Sequence, residues 1–185
     1  MFSMSSAARR FTVPCLAVIL ASAPCIPVIA ADTVATNANA TSLNADDSKF
    51  VTEALRGGML EVKAAQLAID RGVADADKTF AKKLVDDHKE MNDELTALAK
   101  KKGAVIPGAI DEKGQKKLDE LGKVKDADFA EEWLEEQVSC HKKAVDAYEE
   151  ASKDAKDADV KAFATKHLPH LQAHLDEAKR LEKQK

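Results

Sequence analysis

The sequence predicts an all-α fold: an antiparallel four-helix bundle with a short extra helix in the connection between the second and third long helices. Two observations carry this. Between residues 47 and 183 apolar side chains recur three and four positions apart, with strong helix formers between them. Glycines and aspartates fall where such helices would stop and start, and no segment alternates as a strand does.

The first 30 residues stand apart from this pattern. Arg9 and Arg10 precede a largely apolar run from Phe11 to Ala30, which ends in small residues before Ala31 and Asp32. A basic start, an apolar middle and a small-residue end describe a secretory signal peptide. Pro14, Pro24 and Pro27 interrupt the run and disfavour a membrane anchor, so no stable span is expected after cleavage. Residues 31–46, rich in Ala, Thr, Asn and Asp, read as a flexible linker between the cleavage site and the domain.

The periodicity then places long helices at about 47–71, 75–102, 126–152 and 157–183, and a short one at Asp111 to Leu121. Gly72, Gly103 and Gly122 mark helix ends, and Asp46, Asp75, Asp126 and Asp157 suit N-caps. Short turns make the first two long helices one hairpin and the last two another. The middle connection, broken by Gly103, Pro107 and Gly108, is long enough to turn locally or to cross the whole length of the bundle. Pro169 lies inside the fourth long helix and should kink it.

Composition excludes several functions. Signal cleavage would remove two arginines and take the formal charge from −4 to −6, which disfavours nucleic-acid binding, as does an aromatic content of 4%. Cys15 and Cys25 would leave with the signal, so Cys140 remains alone, without an internal disulfide and with no basic residue placed to activate it. No phosphate loop, Cys-x-x-Cys pair or nucleophile elbow occurs.

The informative residues are the polar ones that fall within the apolar arcs of the helices. At about 100° per residue the first arc contains Glu61, the second His88 with Asp87 at its margin, and the third Gln137 with His141 near its edge. The fourth contains His167 and His174, with His170 at the rim, so all five histidines face inward. Glu61, His88, His141 and His174 stand at similar depth near mid-bundle and can meet.

Such a cluster is costly in an apolar core unless its members pair or bind something. Glu61 could accept hydrogen bonds from His88 and His141 in a satisfied structural network. Glu61, His88, His141 and His174 could instead ligate a transition metal such as zinc, iron or copper, with His167 and His170 as additional candidates, the latter at helical i,i+4 spacing from His174. A pH-responsive histidine cluster is a third reading. No histidine has an acid three residues before it, so the Glu-x-x-His pairs of di-iron bundles are absent.

The run of Phe50, Glu61, Ala68, Phe80, Asp87-His88, Asn92, Leu95, Phe129, His141, Ala144, Phe163-Ala164, Leu168-Pro169 and His174-Leu175 resembles the domain of unknown function DUF4142 over about residues 46–182. That resemblance implies an exported bacterial protein with a ferritin-like bundle, and it implies no reaction. The recurrent polar positions of the family correspond to Glu61, His88, His141 and His174, while His167 and His170 look like additions and Trp133 replaces a more usual tyrosine.

The leading expectation is therefore a periplasmic, non-enzymatic protein whose Glu/His cluster is structural or metal-binding, with a role in stress as one reading of it. A ferritin-like oxidase or metal-storage protein is the alternative, and an envelope interaction module the second.

Overall fold

A computed structural model describes residues 42–185. The expected signal peptide and all but the end of the linker lie outside the described residues. The described part is helical: α1 (Ala45–Asp70), α2 (Asp75–Lys102), α3 (Glu112–Lys123), α4 (Asp126–Asp154) and α5 (Ala158–Glu182), with no strand among the described residues. No helix among them is long and apolar enough to cross a membrane.

Local chemistry sets the helix ends. The Asn44 side chain accepts from the backbone N–H of Asp46 and Asp47, which starts α1 two residues before the expected position. Asp157 caps α5 as expected, through Asp159 and Val160, and Asp111 caps α3 through Gly114. Asp75 and Asp126 are not caps but first helical residues, where their charge meets the positive end of the helix dipole. Gly103 ends α2 at φ 64°, a left-handed conformation that glycine adopts without strain. Gly122 instead lies in the last turn of α3. α5 continues through Pro169, which is exposed together with Thr165, so the carbonyl that proline leaves without a partner lies on the outer face.

Contacts at the two ends fix how the helices run. At one end Asp47, near the start of α1, accepts from the backbone of Lys156 and Asp157 before α5. Lys101 and Lys102, at the close of α2, pair there with Asp159 and Asp157 at 2.9 and 2.7 Å. At the opposite end Arg71, just past α1, clamps Asp126 and the Val124 carbonyl at the start of α4 and lies over the Phe129 ring at 4.4 Å. Lys185 reaches Asp77 of α2 at that end. The connection from α2 to α4 therefore crosses the length of the assembly, and α3 packs on α1 and α4 along the way. That resolves the two routes the sequence left open.

The core comes in two pieces. One apolar cluster joins Phe80, Leu84, Phe129, Trp133, Leu134 and Leu181 at the Arg71 end. The other joins Val51, Leu95, Tyr148, Val160, Phe163 and Leu171 at the Asp47 end. Between them every long helix carries a buried polar residue: Glu61 of α1, His88 of α2, Gln137 and His141 of α4, His174 of α5.

Candidate metal centre

Three imidazoles meet in this polar layer. The rings of His88, His141 and His174 lie 5.3 to 5.6 Å apart between centroids. Each is at most 4% exposed, and one ring nitrogen from each falls within 4.8 Å of the other two. They come from three different helices, each at the seam between the two apolar clusters.

The outer nitrogens decide what the inner ones can do. His141 Nδ1 donates to the Gln137 carbonyl at 2.9 Å, and because a carbonyl only accepts, the proton must sit on Nδ1. In the neutral ring Nε2 then carries a bare lone pair. There it accepts from His88 Nε2–H at 3.4 Å, a proton that a metal would displace. His174 donates from Nε2 to Asp87 Oδ2 at 2.7 Å, which leaves its Nδ1 bare, buried and without a partner. A carboxylate on one histidine and a backbone carbonyl on another are the outer contacts that orient imidazoles toward a metal. At a metal–nitrogen length of about 2.05 Å, two corners of a tetrahedron stand about 3.3 Å apart, close to the separation of the two Nε2 atoms.

Burial also favours the uncharged form of two of the rings, His88 and His174. Desolvation, joined by the charges of His141 and His174, holds His88 well below the ordinary histidine range. Burial takes His174 down to about 4, against the opposing pull of its Asp87 hydrogen bond. Asp87, at the half-exposed edge of α2, is lowered by hydrogen bonds from Lys83 and His174, which outweigh its own desolvation.

Of the expected residues the structure brings together His88, His141 and His174 and leaves three out. Glu61 is buried beside them at 6% exposure but lies outside the mutually close group. It accepts no hydrogen bond from His88 or His141, contrary to the network expected, because those rings turn their nitrogens toward each other and toward Gln137. Its Oε2 has no partner, and burial raises its carboxyl above the usual range against the opposing His141 charge. His167 is buried but points elsewhere, donating to Glu94 at 2.8 Å and packing on Phe163. His170 is exposed, so the fifth histidine does not face inward; its ring lies 6.0 Å from that of His167.

Sequence reasoning missed two features. Asp87 fixes His174, and its signal was the Asp87-His88 doublet, which on a helix sends adjacent side chains about 100° apart and so toward different neighbours. Lys117 stands 3.9 Å from Cys140, so a basic group does approach the thiol. The cysteine still fails to ionise near neutrality, because burial and the Glu61 and Glu136 carboxylates push it up.

The family profile of the domain of unknown function DUF4142 matches residues 32–181. The chain belongs to the DUF4142 family. No curated protein has a sequence that matches it. Among solved structures it is similar in fold to a DUF305 fragment from Deinococcus radiodurans, with a TM-score of 0.69 at 12% identity over 78% of this chain and 99% of that one. It is also similar to CopM in a Cu(II)-bound form, with a TM-score of 0.63 at 14% identity over 75% of this chain and 96% of that one. These likenesses are of fold.

Proposed function

We propose that this DUF4142 protein is an exported, periplasmic, ferritin-like four-helix bundle that binds one transition-metal ion through His88, His141 and His174 and has no turnover of its own. One observation carries the reading: the ion would meet bare nitrogens on His141 and His174, whose other ring nitrogens are already committed to Gln137 and Asp87, with His88 Nε2 beside them. A purely structural network fits less well, since it leaves His174 Nδ1 buried without a partner, the one orphaned atom that a metal held by these three rings would satisfy. Such an atom costs about 1–3 kcal/mol.

Three imidazoles suit zinc, copper or iron, and among divalent ions the ordinary affinity order favours Cu(II). The fold likeness to a protein described in a Cu(II)-bound form agrees with that choice. The Arg9-Arg10 start, apolar run and small-residue end support export. An oxidase of di-iron type is disfavoured by the donor set, which offers three imidazoles and no bridging carboxylate within ligand distance of all three.

Elemental analysis of untagged protein, incubated with Cu(II) or Zn(II) and freed of loose ions, should return one metal per chain. Less than about a tenth of a metal per chain, with no thermal shift on adding either ion, would end the metal reading.

A further inference from the structure

We propose that the three-histidine centre takes a small organic carboxylate with an apolar body as an exchangeable fourth ligand, admitted through the cavity between α1, α3 and α4. This rests on the metal reading above and names the ligand class of that same site. The cavity measures about 430 Å³, and His88 and His141 are on its wall whereas His174, held from the other side by Asp87, is not. A metal on these three nitrogens would meet the cavity across the two rings that line it. Four-coordinate sites with three protein ligands keep the fourth position for an outside molecule.

The walls describe that molecule. Phe50, Ala54, Met91, Ala144, Tyr148 and Leu171 make the lining largely apolar, which favours a hydrocarbon or aromatic body. Arg56, Lys113 and Lys143 also line it, and among the described residues none of the three pairs with a carboxylate. Lys113 and Lys143 are exposed and so stand at the mouth, while Arg56 is half-buried with its Nε lacking any hydrogen-bond partner. In a chain of net charge −4 these three cations gather around one opening, which draws in an anion.

Three acids share the lining. Asp111 is occupied as the cap of α3, and Glu53 is exposed at the rim. Glu61 is buried on the same wall and lies outside the close group of ligand atoms, so it is the internal competitor for the fourth position, and a copper spectrum that added anions leave unmoved is what its occupancy would produce.

The test uses the protein loaded with Cu(II), its stoichiometry established first by elemental analysis. Titration with azide, acetate and benzoate is followed by visible absorption and electron paramagnetic resonance. Azide and benzoate should each shift the copper spectrum saturably, with benzoate at least about tenfold tighter than acetate because its ring is buried. Gly57 lines the cavity and a Cβ there meets nothing within 4 Å, so Gly57→Trp should fill the space without disturbing the fold. That variant should keep its copper and its azide shift and lose at least about tenfold in benzoate affinity, and Arg56→Gln should weaken benzoate several-fold. Copper bound at one per chain with a spectrum unmoved by azide and benzoate overturns this inference alone. So does benzoate no tighter than acetate, or benzoate binding unchanged in both variants. A chain that takes up no copper overturns the metal reading and this one together.

Discussion

His174 and His167 lie two turns apart on α5, both are buried, and both donate to a carboxylate of α2, Asp87 and Glu94. Only one belongs to the three-histidine cluster. The Nδ1 of His174 is bare among two more imidazoles, whereas His167 has the Phe163 ring at 4.5 Å and the exposed His170 beyond it. Its carboxylate differs as well, since Glu94 also holds the exposed Lys166 at 2.7 Å and forms a surface triad. Burial and an acidic partner are thus shared by a candidate ligand and by an ordinary packed histidine. What separates them is convergence of ring nitrogens from three helices, two of them, His141 Nε2 and His174 Nδ1, carrying no proton.

The largest expected effect tests that separation directly. His174→Ala should cut copper affinity by more than about 100-fold, beyond the roughly 10–100-fold that loss of an outer contact costs. His167→Ala should leave both stoichiometry and affinity unchanged in the same competition titration. Equal losses in the two variants would mean that the metal does not choose between them, and the comparison would collapse.

Proton binding gives a second difference, read on metal-free protein. His174 has a folded value of about 4 against about 6.5 in an unfolded chain, so between these values the unfolded state holds more protons. Stability is therefore complete above about pH 6.5 and falls as pH drops toward 4, by up to about 3 kcal/mol. His88, lowered for the same reason, adds to the fall. Glu61 acts in the opposite sense: its raised carboxyl makes the folded state the better proton holder above 4.5, so its contribution is lost as pH rises. Urea unfolding between about pH 7 and pH 4.5 should show the net decline, and His174→Gln should flatten it. A flat profile in the native protein would mean that the rings are not desolvated.

Asp87→Asn comes next. An amide keeps the shape but no longer offers a charged acceptor to His174 Nε2–H, and copper affinity should fall by about 10–100-fold with one metal per chain retained at saturation. Glu94→Gln, the matching change beside His167, should leave copper affinity alone. If both amides behave alike, Asp87 orients nothing.

Much of this was legible because helices impose one rule on every residue they contain. Phe80, Leu84, Trp133 and Leu171 follow the 3.6-residue period, and so do His88, His141 and His174, which made their inward faces readable. The rule fails at the edge of an arc, where a rotation of a few tens of degrees moves a side chain from core to solvent. His170 sat there and is exposed, one residue after Pro169 on the outer side of α5. Glu61 shows a different limit. Its depth was read correctly, yet whether a carboxylate meets an imidazole or passes beside it depends on how α1 is rotated against α4, which a single helix does not encode. The crossing of the α2–α4 connection likewise rests on pairs such as Arg71 with Asp126, 55 positions apart, which no local pattern announces.

The smallest expected effect concerns the i,i+4 pair that looked most ligand-like in the sequence. His170 and His174 share a helix and the right spacing, but one is exposed and the other is 1% exposed. Spacing puts two rings on one side of a helix and cannot bring them to one point when the neighbouring helices cover only one of them. His170→Ala removes a solvated ring, so unfolding free energy should change by no more than about 0.5 kcal/mol, and copper stoichiometry should stay at one per chain. A tenfold loss of copper affinity in this variant would move the centre toward the surface of α5, and His167 with Glu94 would then become the better candidate.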